Sequence, residues 1–165
     1  MTIQNTTFSA VALTIGLTIS PATAQTDEGR TMPDTTQERL QQGADVILKL
    51  NNGVPQTTLE NMRQEFPFLA DATQAYALGD VWTRPGLDDR TRQLAAVAAF
   101  AAMGERGLMK IHAGYALNVG VTEDELKEIV YMITVPAGFP KAILASQTMA
   151  DLFEERRSAD TGAEQ

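Results

Sequence analysis

The feature that most constrains the fold of this chain is an uninterrupted apolar run at residues 94–103, LAAVAAFAAM. A helix built from this run has no polar face, so we expect it to be buried on all sides. Its alanines would let neighbouring helices approach closely. A chain of 165 residues can bury a sizeable core. Complete burial of one helix in so small a domain nevertheless suggests that a second subunit covers part of it.

Helical periodicity and capping signals continue on both sides of this run. Apolar residues recur at helical spacing, and glycine or proline interrupts the pattern between segments. The pattern predicts helices at Thr36–Leu50, from a cap at Thr57 or Thr58 to Glu65, at 68–81, from a cap at Asp88 or Asp89 to 103, at 105–118, from a capping box of Thr122 and Glu125 to 135, and from Pro140 to 157. No alternating run or hairpin signal is convincing. The predicted fold is therefore all-α, a single-domain bundle of about six to seven helices.

The same periodicity predicts which side of each helix faces the core. The predicted inward positions are Leu40, Ala44, Ile47 and Leu48 in the first helix; Phe68, Ala72, Ala75, Tyr76 and Gly79 in the third; Leu108, His112, Tyr115, Ala116 and Val119 in the fifth; Leu126, Ile129, Val130 and Ile133 in the sixth; and Ala142, Ala145, Met149, Leu152 and Phe153 in the last. The only histidine, His112, is therefore expected to point inward.

The composition excludes several classes of function. The chain contains no cysteine, which excludes disulfides, thiol nucleophiles and thiolate metal sites. The formal net charge of −8 argues against nucleic acid as a partner, because no basic stripe is available to neutralise phosphates. With one histidine and no visible carboxylate cluster, the sequence predicts no metal site. It also contains no glycine-rich motif that would support nucleotide binding.

The first residues have the pattern of an export signal. An apolar segment at 8–19 is followed by Pro21 and by the small-x-small sequence at 22–24, although no Lys or Arg precedes it. The segment is too short to span a bilayer, which takes about 20 apolar residues. We therefore expect a signal peptide at 1–24, a flexible leader at 25–34, one folded domain at 35–157 and a polar tail at 158–165; the alternatives for the first segment are a membrane tether and a disordered tail. The expected location is periplasmic or secreted after cleavage, and cytoplasmic without it.

Three arginines lie close to Trp82 and a proline–glycine corner just before the apolar run. They are Arg84, Arg90 and Arg92, and His112 follows the run. A guanidinium suits carboxylate binding because its charge is permanent and it can form two parallel hydrogen bonds. Histidine suits proton transfer because its ordinary pKa lies near neutrality. The sequence therefore predicts a pocket for a small anionic ligand.

Structural explanations of the same residues remain open. A single histidine on an apolar face is often an ordinary core residue. Arg84 can stack on Trp82 without binding any ligand. The three arginines can also form ion pairs with the neighbouring carboxylates, which are Asp80, Asp88 and Asp89.

Three stretches of the sequence together resemble a known family. They are GDVWTRPGLD at 79–88 with RTR at 90–92; His112 with ALN at 116–118, GVT at 120–122, Glu125 and Leu126; and AGFP at 137–140. This combination resembles the signature of the γ-carboxymuconolactone decarboxylases, over about residues 40–156. The resemblance implies an all-helical subunit of the alkylhydroperoxidase-D type, assembled into trimers or hexamers. It also implies decarboxylation of a lactone without any cofactor.

The redox branch of that superfamily uses a CxxC pair instead. Its second cysteine lies four residues before the histidine, and Glu105 and Leu108 occupy the two cysteine positions in this chain. The resemblance therefore does not extend to peroxidase or peroxiredoxin activity. Two departures concern the decarboxylases themselves: Pro136 stands where members commonly have tyrosine, and Leu108 stands where an acidic residue is frequent.

The resemblance implies roles for individual residues. The candidates are His112 as general acid/base, Glu105 as a second catalytic residue, and Arg84, Arg90, Arg92 and Trp82 as substrate-binding residues. The predicted function is that of a carbon–carbon lyase, a decarboxylase acting on a small anionic lactone or oxo-acid and working as a homo-oligomer. The alternative is an exported, non-catalytic oligomer that binds a small anion.

Overall fold

The computed structural model describes residues 35–163, and every regular element within that range is a helix. The elements are α1 (Thr36–Leu50), α2 (Thr57–Glu65), α3 (Pro67–Ala72), a π-helical segment (Thr73–Trp82), α4 (Asp89–Met103), α5 (Arg106–Asn118), α6 (Glu123–Met132), α7 (Thr134–Ala137) and α8 (Phe139–Ala163). The predicted all-α, single-domain bundle is confirmed.

Local signals in the sequence determine several helix ends. Asp88 caps α4, and its side chain accepts a hydrogen bond of 2.7 Å from the backbone of the first turn. Thr122 and Glu125 form the predicted capping box of α6. Gly104 ends α4 with a φ of 83°, and Gly120 follows α5 with a φ of 88°. Glycine adopts this left-handed conformation at little cost, so both helices end where the sequence predicts.

Other predicted boundaries are wrong by a residue or more. The cap of α2 is Gln56, whose side-chain oxygen accepts a hydrogen bond of 3.2 Å from the backbone of Thr58. The sixth helix ends at Met132, and α7 follows as a separate short helix. The last helix continues to Ala163, through most of the predicted polar tail.

The helix predicted at 68–81 begins as α-helix and becomes π-helix at Thr73. Its buried positions are Ala70, Ala75 and Gly79, a spacing of five and then four residues. Because a π-turn contains more residues than an α-turn, the buried side differs from the side that α-helical periodicity predicts. Of the five predicted inward positions, Phe68, Ala72 and Tyr76 are exposed instead.

Helices α4 to α8 form the C-terminal bundle (residues 89–163), which contains the main core. Its buried apolar members are Val97, Ala101, Met109, Ala113, Ala116, Val121, Leu126, Val130, Ile133, Ala142, Ala145, Met149, Leu152 and Phe153. The inward face predicted for the last helix is confirmed at every position, and that of α6 is confirmed with Ile129 partly buried.

Residues 36–82 form the N-terminal layer, in which α1 packs directly on the π-helical segment through two glycines. A Cβ at Gly43 would lie 2.0 Å from the carbonyl oxygen of Gln74, and a Cβ at Gly79 would lie 2.3 Å from that of Arg39. Both distances are far shorter than any van der Waals contact, so the two backbones can approach only because these residues are glycines. The guanidinium of Arg39 also binds both carboxylate oxygens of Asp80, its Nε at 3.1 and 3.0 Å.

Helix α4 is not buried on all sides in the single chain, so that prediction is wrong for the isolated subunit. One stripe, made of Gln93, Val97 and Ala101, is buried, and the opposite stripe contains exposed Ala95 and Ala99. Met103 continues the exposed stripe and is 62% exposed. The bundle therefore covers one side of this apolar helix and leaves the other uncovered.

The predicted inward faces of α1 and α5 are confirmed in part, at Ile47, Tyr115 and Ala116, and are displaced by about one residue elsewhere. Leu48 and Leu108 are 39% and 43% exposed, although both were expected to face the core. On α5 the predicted positions Tyr115 and Ala116 are buried, whereas Met109 and Ala113 are buried in place of Leu108 and His112, which precede them by one residue. His112 therefore lies at the edge of the buried face and is only partly exposed.

The predicted signal peptide and leader, at residues 1–34, lie outside the described residues. Within residues 35–163, no helix is both long enough and apolar enough to cross a membrane. The expected location therefore stays a prediction.

Candidate active site

The imidazole of His112 lies among three aromatic side chains. Its centroid is 5.1 Å from that of Phe100, with the planes stacked at 29°, and 5.4 Å from that of Trp82, with the planes tilted at 38°. Tyr115 contacts the imidazole edge-on, at 5.8 Å and 78°. The rings surround the only histidine with an apolar wall.

Elements from both parts of the fold bring these rings together. Trp82 is the last residue of the π-helical segment and thus belongs to the N-terminal layer. Phe100 lies on α4, and His112 and Tyr115 lie one turn apart on α5, in the C-terminal bundle. The site therefore lies at the junction of the two parts.

Gln93 orients the imidazole. This side chain is completely buried on α4, and its Oε1 lies 2.9 Å from Nδ1 of His112. Because an amide oxygen can only accept, Nδ1 carries the proton and Nε2 keeps a lone pair. Burial lowers the pKa of His112 from 6.5 to about 4, so the ring is neutral at physiological pH.

Two buried hydrogen-bond donors at this site have no partner among residues 35–163. They are Nε1 of Trp82, whose ring contacts the imidazole, and Nε2 of Gln93, whose other amide atom binds the imidazole. Buried donors are nearly always satisfied in folded proteins. The site thus offers two N–H donors beside a neutral imidazole.

The three predicted arginines make different contacts. Arg90 forms an ion pair with Glu125 on α6. Arg92 donates hydrogen bonds to backbone carbonyls of the turn between Trp82 and α4, and so holds that turn in place. The side chain of Arg84 is exposed, with no hydrogen bond or ion pair to any other described residue. Of the three guanidinium groups, that of Arg84 is thus available to a ligand.

The alternative partners of these arginines are used elsewhere. Asp80 binds Arg39, Asp88 caps α4, and Asp89 forms an ion pair with Lys49. Within residues 35–163, no cation–π contact joins Arg84 to Trp82. The alternative in which Arg90 pairs with one of these carboxylates does not hold, because its ion pair is with Glu125.

Within residues 35–163, Glu105 and the three arginines are not part of the hydrogen bond or ring contacts of His112. Glu105 is the exposed residue just before α5, about two helical turns from His112. No hydrogen bond or ion pair within the described part of the chain links His112 to Glu105, Arg84, Arg90 or Arg92. Of the predicted site residues, the structure brings together Trp82 and His112.

Gln93 is a site residue that was not predicted from the sequence. The signal was present, because this residue precedes Val97 and Ala101 by one and two turns on the buried stripe of α4. A polar residue at an inward position needs a partner. Its partner, His112, comes from another helix and could not be identified from the periodicity of α4.

Tyr115 connects the aromatic site to a neighbouring pocket of about 390 Å³. Its hydroxyl accepts a hydrogen bond of 2.8 Å from Gln56, and burial raises its pKa. Lys110 and Arg156 also line this pocket. No group of three or more histidine or acidic residues that could hold a metal ion is found within 35–163.

The sequence model of the carboxymuconolactone decarboxylase family matches residues 67–151. This range extends from α3 into α8 and includes Trp82, Gln93 and His112. The chain belongs to this family. The resemblance of the signature stretches to carboxymuconolactone decarboxylases is thereby confirmed.

Individual relatives agree with membership of the carboxymuconolactone decarboxylase family. The chain is 31% identical over 120 residues to a 4-carboxymuconolactone decarboxylase of Acinetobacter baylyi, an alignment that covers 72% of this chain and 90% of the relative. It is 38% identical over 86 residues to a nitrosuccinic acid decarboxylase of Metarhizium robertsii, covering 48% and 59% of the two chains. An uncharacterised protein of Methanocaldococcus jannaschii is 23% identical over 99 residues, covering 60% and 92%.

Proposed function

We propose that this protein is a cofactor-independent decarboxylase that acts on a small anionic lactone or oxo-acid. Family membership and two relatives named as decarboxylases support the reaction class. The observation that carries the proposal is the neutral imidazole of His112, held at Nδ1 by Gln93 with its Nε2 lone pair unprotonated. A group of this kind can receive and return one proton.

The reaction requires little from the protein. A carboxylate leaves a carbon that is conjugated to an oxygen-bearing acceptor, and the electron pair of the broken bond moves onto that oxygen. The protein must bind the anion, stabilise the charge that develops on the oxygen, and supply a proton to carbon. The two substrates named for the relatives combine a carboxyl group with such an acceptor, a lactone carbonyl or a nitro group.

His112 supplies the proton in this proposal. In the empty site, burial keeps the pKa of the imidazole at about 4. A bound anion raises the pKa of a neighbouring imidazole, because the opposite charge favours the protonated form. The substrate thus brings about the protonation that the reaction needs, and His112 then donates the proton to carbon.

The arginines have separate roles in this proposal. Arg84 binds a carboxylate of the substrate, because its guanidinium has no partner within residues 35–163 and follows Trp82 by two positions. Arg92 keeps the turn that carries Arg84 in place through its bonds to the backbone. Arg90 binds substrate only if its ion pair with Glu125 opens.

The remaining predictions also belong to the proposal. The uncovered stripe of α4, with Ala95, Ala99 and Met103, supports assembly into a homo-oligomer. A partner subunit packed there would further exclude water from the neighbouring site. Glu105 acts in catalysis only through such an assembly, because no hydrogen bond or ion pair joins it to His112 within residues 35–163. Export is supported by the sequence pattern at 1–24.

The first experiment measures turnover of 4-carboxymuconolactone and of nitrosuccinate by ultraviolet absorbance and carbon dioxide release. We expect His112→Gln to lower kcat by about 10²–10⁴-fold, the usual contribution of a general acid or base. Undiminished turnover by His112→Gln on every acid that the wild type accepts would show that His112 is not the proton donor. Binding of these acids without any product would favour the non-catalytic alternative.

The second experiment tests Arg84. Removing one charged hydrogen-bond partner of a bound anion should raise KM by about tenfold or more in Arg84→Ala. Arg157→Ala is the matched control, since Arg157 is an exposed arginine on α8 that pairs with Glu123 and Glu154. Equal values of KM for the two variants would remove Arg84 from the site.

A further inference from the structure

The candidate active site contains two hydrogen-bond donors that need an acceptor. Nε1 of Trp82 and Nε2 of Gln93 are both buried, and neither has a hydrogen-bond partner among residues 35–163. Gln93 is completely buried. Leaving such groups unsatisfied is costly, so each one calls for a ligand or a bound water.

Both groups are tied to the same imidazole. The indole of Trp82 contacts the ring of His112 at 5.4 Å between centroids, and Oε1 of Gln93 lies 2.9 Å from its Nδ1. Because Oε1 is used by the imidazole, the amide of Gln93 presents its N–H groups. The indole can only donate as well. Two N–H donors without an acceptor fit an oxygen atom that carries negative charge, and they do not fit a cation.

We propose that Trp82 and Gln93 form an oxyanion receptor, which restricts the substrates to acids whose leaving carboxylate is conjugated to a carbonyl or nitro oxygen. This inference rests on the proposed decarboxylase function. It assigns two residues to a step that the family resemblance leaves unassigned. It also explains why a buried indole N–H and a buried glutamine lie beside the proton donor.

The step is balanced without any cofactor. The bond between the carboxyl carbon and its neighbour breaks, carbon dioxide leaves, and the electron pair moves onto the acceptor oxygen held by Trp82 and Gln93. His112, protonated from solvent while the anion is bound, then donates its proton to the carbon as the double bond to oxygen re-forms. The reaction consumes one proton and releases carbon dioxide.

The surroundings favour such a receptor. Phe100 stacks on the imidazole at 5.1 Å, and Tyr115 contacts it edge-on at 5.8 Å. N–H donors in an apolar, water-poor site stabilise a developing negative charge more than the same donors in water do. They are also fixed before the reaction starts, since Gln93 is held by His112 and the indole is packed on it.

The chain contains a single tryptophan, which gives a direct spectroscopic test. The full-length protein labelled with ¹⁵N has one indole N–H resonance, and it comes from the proposed receptor. The probe is the nitronate of 3-nitropropionate, in which the carbon beside the nitro group has lost its proton. The controls are 3-nitropropionate in its ordinary nitro form and sodium chloride. We expect the nitronate alone to move the indole proton downfield in a saturable manner. No shift, or an equal shift with chloride, would overturn the receptor and leave the two donors bound to water only.

Variants test the role in the reaction. Trp82→Phe keeps an aromatic ring but removes the N–H, and Gln93→Leu removes the amide. We expect each to lower kcat by about 10²–10³-fold, as the loss of one oxyanion donor does elsewhere, with KM changed by less than about threefold. Tyr131→Phe and Gln147→Leu are matched controls, because both residues are exposed. Wild-type kcat in the Trp82 variant would contradict the proposal.

Two further measurements keep the outcomes separate. Circular dichroism and thermal unfolding identify a variant that fails to fold. If the wild type decarboxylates no acid but its indole resonance responds to the nitronate, the proposed function fails and the receptor stands. If turnover is present and Trp82→Phe retains it, the receptor fails and the proposed function stands.

Discussion

The C-terminal bundle and the N-terminal layer are stabilised in different ways. The bundle has one continuous apolar core built from α4 to α8. The layer has a small cluster of Ile47, Leu59 and Ala70, with Met62 and Leu78 packed against it. It depends instead on the close approach at Gly43 and Gly79 and on polar bonds such as that between Arg39 and Asp80. It also leaves large apolar side chains uncovered, namely Phe66, Phe68, Leu69 and Tyr76.

This difference bears on the site, because each part supplies different groups. The bundle supplies His112 and Gln93 from its own buried faces, whereas the layer supplies Trp82 at the end of the π-helical segment. The proton donor and its orienting residue are thus fixed by the larger core. The position of the indole depends on the layer, whose own core is small. Substitutions in the bundle should therefore lower the free energy of unfolding most. Substitutions in the layer should alter the site even where they lower the free energy of unfolding only slightly.

The largest expected effect compares one substitution in the two cores. Leu126 in the bundle is fully buried, and Leu59 in the layer is 6% exposed. We expect Leu126→Ala to lower the free energy of unfolding by about 4 kcal/mol and Leu59→Ala by about 2 kcal/mol, since the apolar cluster that contains Leu59 is the smaller one. The measurement is denaturant unfolding at fixed protein concentration. Equal losses would mean that the two cores are equally well packed.

The next effect breaks the backbone contact that holds the layer together. A Cβ at Gly43 would lie 2.0 Å from a backbone oxygen, whereas a Cβ at Gly107, on α5, would have no neighbour within 4 Å. We expect Gly43→Ala to cost about 3 kcal/mol through overpacking and Gly107→Ala to gain about 0.5 kcal/mol through helix propensity. Thermal unfolding of both variants checks this. An unchanged melting temperature for Gly43→Ala would contradict the close approach.

The smallest expected effect is a loss of free energy of unfolding at acid pH, caused by His112 at the junction between the two parts. The pKa of His112 is lowered to about 4 in the folded chain from 6.5, so the unfolded chain binds more protons between these values. Stability therefore falls as the pH decreases through that window, by about 2 kcal/mol between about pH 7.5 and about pH 5. Unfolding of the wild type and of His112→Gln across this range measures it. The variant should lack this part of the slope, and identical slopes would show that the ring is not held neutral.

The sequence predicted most of the fold because helix limits depend on local chemistry. Asp88, Gly104 and the capping box at Thr122 end or begin helices through contacts within a few residues, and the structure confirms all three. The inward face of α8 was also predictable, since an α-helix packed on one large core keeps its periodicity. The change to π-helix at Thr73 was not predictable, because the apolar periodicity of the segment does not distinguish a π-turn from an α-turn; it lies where α1 packs closely on this segment.

The site was predictable only in part. Trp82 and His112 could be found because they belong to a recognisable stretch of sequence, and the structure places their rings in contact. The pairing of Arg90 with Glu125 was not predictable, because the two residues are 35 positions apart and lie on different helices. Gln93 was missed for the same reason, since its partner lies 19 positions away on another helix.

The sequence by itself therefore determined most of the helices, several of their caps, the absence of thiol chemistry and the family. These follow from short-range geometry, composition and the order of a few motifs. Only the tertiary structure decided which side of α4 is covered and which of the three arginines has no partner for its guanidinium within residues 35–163. It also decided that the imidazole of His112 is neutral and oriented by Gln93. Burial and hydrogen bonding between distant residues depend on how helices pack, and the periodicity of a single helix does not carry that information.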